Sequence, residues 1–368
     1  MNMKYYSFIY TYIILRVEIL YLQKNNLEEN EMKKTNKKSI TPILTGVLSL
    51  GLAACFSTSA FAYEGSEYSL QLGHAGAEGS LEDITSTRFA ELVDEMSDGK
   101  ISVEIFGNAQ MGGLADLVDA IRYDTLDIAI FAVTDADSYY PAADVITLPY
   151  LFDSFDHVEK FYDSNIYEDM MDDFASQTNC RELSSFHAGF RCILSNKEIN
   201  TASDMEGLTI RVPEIQSYLS TFGALGCNTV VLPASEVYQG LSTGLIEATE
   251  AAPSYMRTQN YFDQTDYFIE SRHIYCGNSL MMSQSKLDGM DEAAVEVLEE
   301  AAKQAAEESR DAAEEEDTKA VAVFEEAGLK HIVPDKESFQ NAMADVWTEL
   351  LANVDGGQEL VDQILALK

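Results

Sequence analysis

The first clear pattern along the chain is a simple alternation. From Tyr68 to Leu72 apolar and polar side chains take turns, which predicts a strand followed by the Gly-rich turn GHAGAEG. Leu81, Ile84, Phe89, Leu92, Val93 and Met96 then recur at helical spacing over 81–97, with Gly99 as the stop. ISVEIFG (101–107) alternates again. Gly112-Gly113 opens a helix that runs to about Tyr123, and LDIAIFAV (126–133) reads as a buried strand. A β–α–β–α–β order of this kind predicts a parallel α/β sheet.

LPYLF (148–152) and the Asp/Phe/Tyr-rich stretch after it predict a turn and helices. A second block begins at GFRCILSN (189–196), read as a strand. Ser203-Asp204-Met205-Glu206 predicts a short helical turn before the strand GLTIRVP (207–213). SYLSTFGALG predicts a helix, NTVVLP a strand, SEVYQGLSTG a helix capped by Ser235, and LIEATEA a strand. This second βαβαβ run is its own α/β unit. From Met290 to about Ala327 Ala and Glu dominate without Gly or Pro, and Glu299–Lys303 and Glu315–Lys319 stand at i, i+4. One helix of that length would run ~50 Å, more than one small unit needs. It therefore predicts a helix lying across two lobes with a cleft between them, and further helices follow in the tail. Hinged clefts of this kind close around small ligands.

The N-terminal segment has a different character. Residues 32–62 pass from a basic start (Lys33, Lys34, Lys37, Lys38) through an apolar stretch to Ala60-Phe61-Ala62, the order of a secretory signal with cleavage before Tyr63. The apolar stretch is short for a membrane span, which needs about 20 residues. Leu52-Ala53-Ala54-Cys55 offers the competing reading of a lipoprotein anchored at Cys55. Because a signal should open the chain, residues 1–31 read as a mis-annotated extension ahead of a start at Met32.

Charge narrows the function. The chain carries 24 Lys+Arg against 62 Asp+Glu; residues 1–62 hold 7 of the former and 4 of the latter, which leaves a net of −41 for the rest. Such a balance argues against nucleic acid and anionic membrane surfaces as partners. It also repels an anionic ligand at long range, so any anion site must be built locally. Cys180, Cys192, Cys227 and Cys276 lack C-x-x-C spacing, and free, mostly buried thiols are expected of them. The five histidines are scattered. No GxGxxG, GxxxxGK[ST] or GxSxG motif occurs. Asp135-x-Asp137 could ligate a metal and Glu247/Glu250 could act as acid and base, but with so many carboxylates neither pair stands out. The expectation is a protein without cofactor, metal or catalytic residues, not an enzyme.

The arginines of the second block say more. In GLTIRVP, Leu208, Ile210 and Val212 share one face and Thr209 and Arg211 the other, with Pro213 ending the strand. A charge on a doubly covered strand must be paired. Ligand sites in open α/β sheets lie beyond the carboxyl ends of the strands, and guanidinium grips a carboxylate through two parallel hydrogen bonds. Arg191, in GFRCILSN, lies opposite the face of Phe190 and Cys192. From the residues alone Arg211 is either half of a structural ion pair or an anion anchor.

The ordered set FAELVDEMSDGKISVEIFGNAQMGG, LDIAIF, LPYLFDSFDHVEKFY, GFR, DMEGLTIRVP, ALGCNTVVLPASEVYQGLSTGLIEATE and the long helix resembles the DctP-type solute-binding subunits of TRAP transporters over nearly all of 68–368. The resemblance implies a two-lobed, periplasmic-binding-protein-like α/β fold with a hinge cleft: lobe I from 63–188 plus about 277–316, lobe II from 189–276 plus about 317–368. It implies capture of a small organic acid outside the cytoplasm and delivery to the small and large membrane permease subunits, by a monomer or alternatively a dimer. A receptor feeding a membrane sensor is the alternative. In the family the arginine matching Arg211 binds the substrate carboxylate and that matching Arg191 often helps; Asn278, His74, Thr134, Phe131, Glu250, Ala234 and Ala251 fall at or beside cleft positions. Two positions depart from the pattern. The D-G-x-E-N run reads Glu247-Ala248-Thr249-Glu250-Ala251, without its Asn, and Ala234 replaces an aromatic. Both losses predict a larger pocket or a more apolar acid.

Overall fold

The computed structural model describes residues 63–368. The expected signal, the Cys55 alternative and the reading of 1–31 lie outside the described residues. The first half runs β1 (Tyr68–His74), α1 (Leu81–Met96), β2 (Ile101–Phe106), α2 (Leu114–Arg122) and β3 (Ile128–Phe131). Two 3-10 turns (Val133–Ala136 and Pro141–Thr147), α3 (Phe155–Tyr162) and α4 (Asn165–Thr178) lead into β4 (Cys180–Ser195). The second half runs β5 (Thr209–Val212), α5 (Gln216–Ala224), β6 (Asn228–Val231), α6 (Ala234–Thr243), β7 (Ala248–Ala251), α7 (Pro253–Thr258) and β8 (Tyr267–Ser283). A short α8 (Gln284–Leu287), the long α9 (Glu292–Glu326), β9 (Lys330–Ile332), α10 (Lys336–Ala342), α11 (Ala344–Leu351) and α12 (Gly357–Leu365) complete the chain.

The nine strands of the described residues join one sheet, in the order β2-β1-β3-β8-β4-β7-β5-β6, with β9 beside β8. β1 pairs in parallel with β2 and β3, and β5 in parallel with β6 and β7. Between these parallel trios run β8 and β4, antiparallel to each other along almost their whole length. Sixteen and seventeen residues of strand extend roughly 50 Å, about the length of the 35-residue α9. The helix is common to two cores. Its Leu298, Ala301, Ala302 and Ala305 pack with Leu70, Phe89 and Val93, and its Ala320 and Phe324 with Leu194, Met256 and Phe268. Alanine dominates its buried face because small side chains let a straight helix lie close along both.

The expected elements of both βαβαβ runs are present, with four differences. β4 begins at Cys180, nine residues before the expected strand. β8, its 17-residue partner, is a strand that the sequence pattern did not mark. Both are explained by three register shifts, at Glu182/Ser184, His187/Gly189 and Arg191/Ile193; each bulge resets which face a residue takes and erases period two. Ser235 caps nothing, since α6 starts at Ala234 with Pro233 as its cap. The Glu315–Lys319 pair forms at 3.0 Å, but among the described residues Lys303 makes no ion pair with Glu299. Cys180, Cys192, Cys227 and Cys276 are free thiols. None of the described helices is long and apolar enough to cross a membrane.

Gly189 stands at the central bulge with φ +117°. A Cβ there would meet Asp317 of α9 at 2.8 Å and Ala252 at 3.2 Å. The boundaries expected between lobes, 188/189 and 276/277, fall at this point of β4 and β8.

Candidate functional site

Arg211 is the third of four residues in β5, between its register partners Val230 of β6 and Thr249 of β7. Pro213 follows, and with no N–H to donate it cannot extend the ladder. This sets the side chain at the carboxyl edge of the sheet. Only 7% of the residue is exposed. Its Nε and Nη2 both donate to the Leu232 carbonyl, at 2.9 and 2.7 Å. Among the described residues it forms no ion pair. Burial pulls its pKa below the usual arginine value, while Glu250, Tyr261 and Tyr255 act in the opposite direction. A guanidinium held by one neutral carbonyl has donors to spare, and a buried charge without a counter-charge is costly.

Arg191 has the contrasting arrangement. Its Nη2 donates to Glu250 Oε1 at 2.8 Å and to the Glu250 carbonyl at 3.0 Å, and Nε donates to Oε2. Burial works against both charges, but each outweighs it for the other: Arg191 is held well above the usual arginine value and Glu250 down to about 2. His273 approaches the same carboxylate at 3.4 Å while its Nδ1 contacts Ser271 Oγ at 2.8 Å. The ring of Tyr218, on α5, lies 4.9 Å from the Arg191 guanidinium. Arg191 keeps 12% of its side chain exposed and Glu250 none. Glu250, expected to contact ligand, has both carboxylate oxygens bonded to Arg191.

β1 and β3 lie on the other side of β8 in the strand order. His74 ends β1, almost wholly buried, and neither ring nitrogen has a hydrogen-bond partner. Its nearest acid is Asp83, with Nε2 to Oδ1 at 3.9 Å. Burial lowers its pKa despite Glu82 and Asp83 nearby. Asn278 of β8 donates to Glu82 Oε1 at 3.1 Å. Thr134, in the 3-10 turn after β3, is buried, as is Phe131, whose ring belongs to the apolar core with Leu117 and Leu126. Of the expected residues, His74 and Phe131 end β1 and β3, Thr134 lies in the turn after β3, and Arg191, Arg211, Glu250 and Asn278 lie on β4, β5, β7 and β8.

Tyr218, beside Arg191, is a residue that the sequence pattern did not single out. Asp135 was noticeable only as half of Asp135-x-Asp137. Its Oδ2 accepts from the Ala132 N–H at 2.8 Å, closing its own 3-10 turn, while Asp137 accepts from the Gln216 N–H at the start of α5 at 3.3 Å. Neither arrangement is a metal site, and no cluster of metal-ligating side chains occurs among the described residues. Burial raises the Asp135 pKa to about 7, against the opposing charge of Arg191. Glu247, the other half of the acid–base candidate, is instead paired with Lys197 at 2.8 Å.

Ala251, where the family Asn is missing, ends β7 inside the apolar cluster with Val237, Met256 and Tyr261. Ala234 is half-buried, and its carbonyl accepts from the Tyr261 hydroxyl at 2.8 Å. Two grooves of about 460 and 670 Å³ lie elsewhere, between α9 and the α3–β4 surface, and share Arg310. They include none of the expected site residues.

Residues 72–353 match the bacterial extracellular solute-binding proteins, family 7 (DctP). The sialic acid-binding periplasmic protein SiaP of Vibrio cholerae is 24% identical over 330 residues, 90% of this chain and all of that protein. The 2,3-diketo-L-gulonate-binding periplasmic protein YiaO of Escherichia coli is 23% identical over 317 residues, 85% of this chain and 95% of that one. A TRAP periplasmic solute-binding protein from Chromohalobacter salexigens, solved with bound D-glucuronate, superposes with a TM-score of 0.78 at 26% identity, over 81% of this chain and all of that one.

Proposed function

The chain belongs to the DctP family of TRAP-transporter solute-binding proteins, and from that premise we propose that it captures a small organic acid outside the cytoplasm, with Arg211 as the carboxylate clamp. The observation that carries this reading is the Arg211 guanidinium itself: nearly buried, held by one backbone carbonyl and without an ion-pair partner among the described residues. In a chain so acidic, an unpaired buried cation at a strand end is a place reserved for an anion from outside. A ligand carboxylate there supplies the missing charge and two further acceptors. Arg191, fixed by Glu250, presents its remaining edge as a second donor.

Binding is coupled to lobe closure. Lobe I supplies His74, Thr134 and Asn278, and lobe II supplies Arg191 and Arg211. The hinge runs through β4 and β8 at the Gly189 bulge, with α9 as the common spine. The loaded, closed form then docks on the small and large subunits of a TRAP permease, as family membership implies. The relatives with acid ligands support the chemistry: sialic acid, 2,3-diketo-L-gulonate and D-glucuronate are each named for the protein that binds it.

Native mass spectrometry of the protein purified without added ligand tests the reading. Denaturation should release a small molecule bearing a carboxylate. A retained ligand with no acidic group contradicts it.

A further inference from the structure

The helix that follows Arg211 is anchored from the other half of the sheet. α5 begins at Gln216, and its cap residue, Ile215, has no side-chain acceptor for the first-turn amides. Asp137 supplies one instead: its Oδ2 takes the Gln216 N–H at 3.3 Å, from 79 residues away in the chain. One residue on, the Ser217 hydroxyl accepts from Thr147 Oγ1 at 2.7 Å, and both groups are buried. Asp137 and Thr147 lie on the connector between β3 and α3, which leaves the first parallel trio, whereas α5 joins β5 to β6 of the second. Val145 and Leu148 of the same connector share an apolar core with Tyr218 and Phe222 of α5.

The next residue of that first turn is Tyr218. It is only 1% exposed, and its ring lies under the Arg191 guanidinium at 4.9 Å. Arg191 is therefore held in two ways: Glu250 bonds its edge through Nε and Nη2, and Tyr218 covers its face. The two parallel bonds fix the direction of the guanidinium but let it rock about the line that joins them. A ring packed on its face removes that freedom.

We propose that Asp137 is a positioning residue for the clamp: through the first turn of α5 it sets Tyr218 against Arg191, so that this second donor is aimed only while the two halves are packed together. This rests on the reading of Arg191 as a ligand donor and adds what aims it. Thr147 acts on the same turn, and neither residue has to touch the ligand. A plain helix cap would steady α5 without reaching Arg191. The two roles differ in whether the Tyr218 ring transmits the effect.

Two measurements on the full chain test it. The first is calorimetric titration with D-glucuronate, sialic acid and 2,3-diketo-L-gulonate, the acids named for relatives. For whichever of them binds, Asp137→Ala and Tyr218→Leu should each weaken affinity roughly 3- to 10-fold. Asp137→Asn and Tyr218→Phe, which keep an acceptor and a ring, should stay within about two-fold of the native protein. Asp137→Ala combined with Tyr218→Leu should be no weaker than the worse single variant, because both act through one turn. Native-like affinity in either single variant overturns the inference, as do losses that multiply in the double variant. The second measurement needs no acid: the NMR signal of the Arg191 Nε–H, which feels the ring current of Tyr218, should move in Asp137→Ala toward its position in Tyr218→Leu. A signal that stays in place overturns the inference. If Arg211→Ala abolishes binding while the Asp137 and Tyr218 variants leave it unaltered, the inference is wrong and the Arg211 clamp stands. If the native protein binds none of the three acids, the carboxylate reading fails for them, and the NMR signal alone decides whether Asp137 positions Arg191.

Discussion

Arg191 and Glu250 form a two-pronged ion pair between neighbouring strands β4 and β7, with Glu250 fully buried and Nη2 to Oε1 at 2.8 Å. It sets apart two arginines that look alike in the sequence: Arg191 is neutralised within the fold, whereas Arg211 forms no ion pair among the described residues.

Removing Glu250 should therefore damage the fold as well as the site. Breaking a buried pair from one side costs about 3–5 kcal/mol, and the residual exposure of Arg191 puts Glu250→Ala near the lower end. Chemical denaturation should show a loss of about 3 kcal/mol. A loss below about 1 kcal/mol would mean that the pair contributes little.

Gly189 is the second sensitive point. Alanine at φ +117° is strained, and its Cβ would press on Asp317 of α9. Gly189→Ala should cost more than ~1 kcal/mol of stability and, if the proposed hinge runs through the register shift at this point of β4, weaken ligand binding. Melting curves and a binding isotherm read both effects; an unaltered isotherm would remove Gly189 from the hinge.

The pH dependence follows from buried acids. Asp144 has one oxygen without a partner, and burial, with Asp137 nearby, raises its pKa to about 7; burial does the same for Asp135. A raised acid binds more protons folded than unfolded between about pH 4 and 7, so its contribution to stability falls as pH rises through that window. Glu250 has the opposite sign. Its pairing is fully present above about pH 4.5 and is lost as pH falls toward about 2. Stability should be greatest near pH 5 and decline toward pH 8. Asp144→Asn should gain stability at pH 8 relative to pH 5; an equal effect at both would refute the assignment.

Ala251 tests the departure from the family pattern. Its side chain lies in the cluster with Met256 and Tyr261, so Ala251→Asn places an amide among apolar groups. Without a partner that costs about 1–3 kcal/mol. A thermal melt that does not fall would show that the amide finds a partner beside Arg211.

Much of this was legible in the sequence. The two βαβαβ runs, the long helix and the placement of Arg211 follow from periodicity and from Pro213. What was not legible has physical causes. The bulges in β4 and β8 break the period that marks a strand. The partner of Arg191 is one carboxylate among many, and only the register of β4 against β7 selects it.

The central claim is the Arg211 clamp, and the most direct measurement is the affinity of Arg211→Ala for the acid that the native protein retains. Truncating one side of a buried charged contact costs about 2–5 kcal/mol, so binding should weaken roughly 30-fold to several thousand-fold, with the protein still folded by melting curve. Affinity within about three-fold of the native protein would contradict the account.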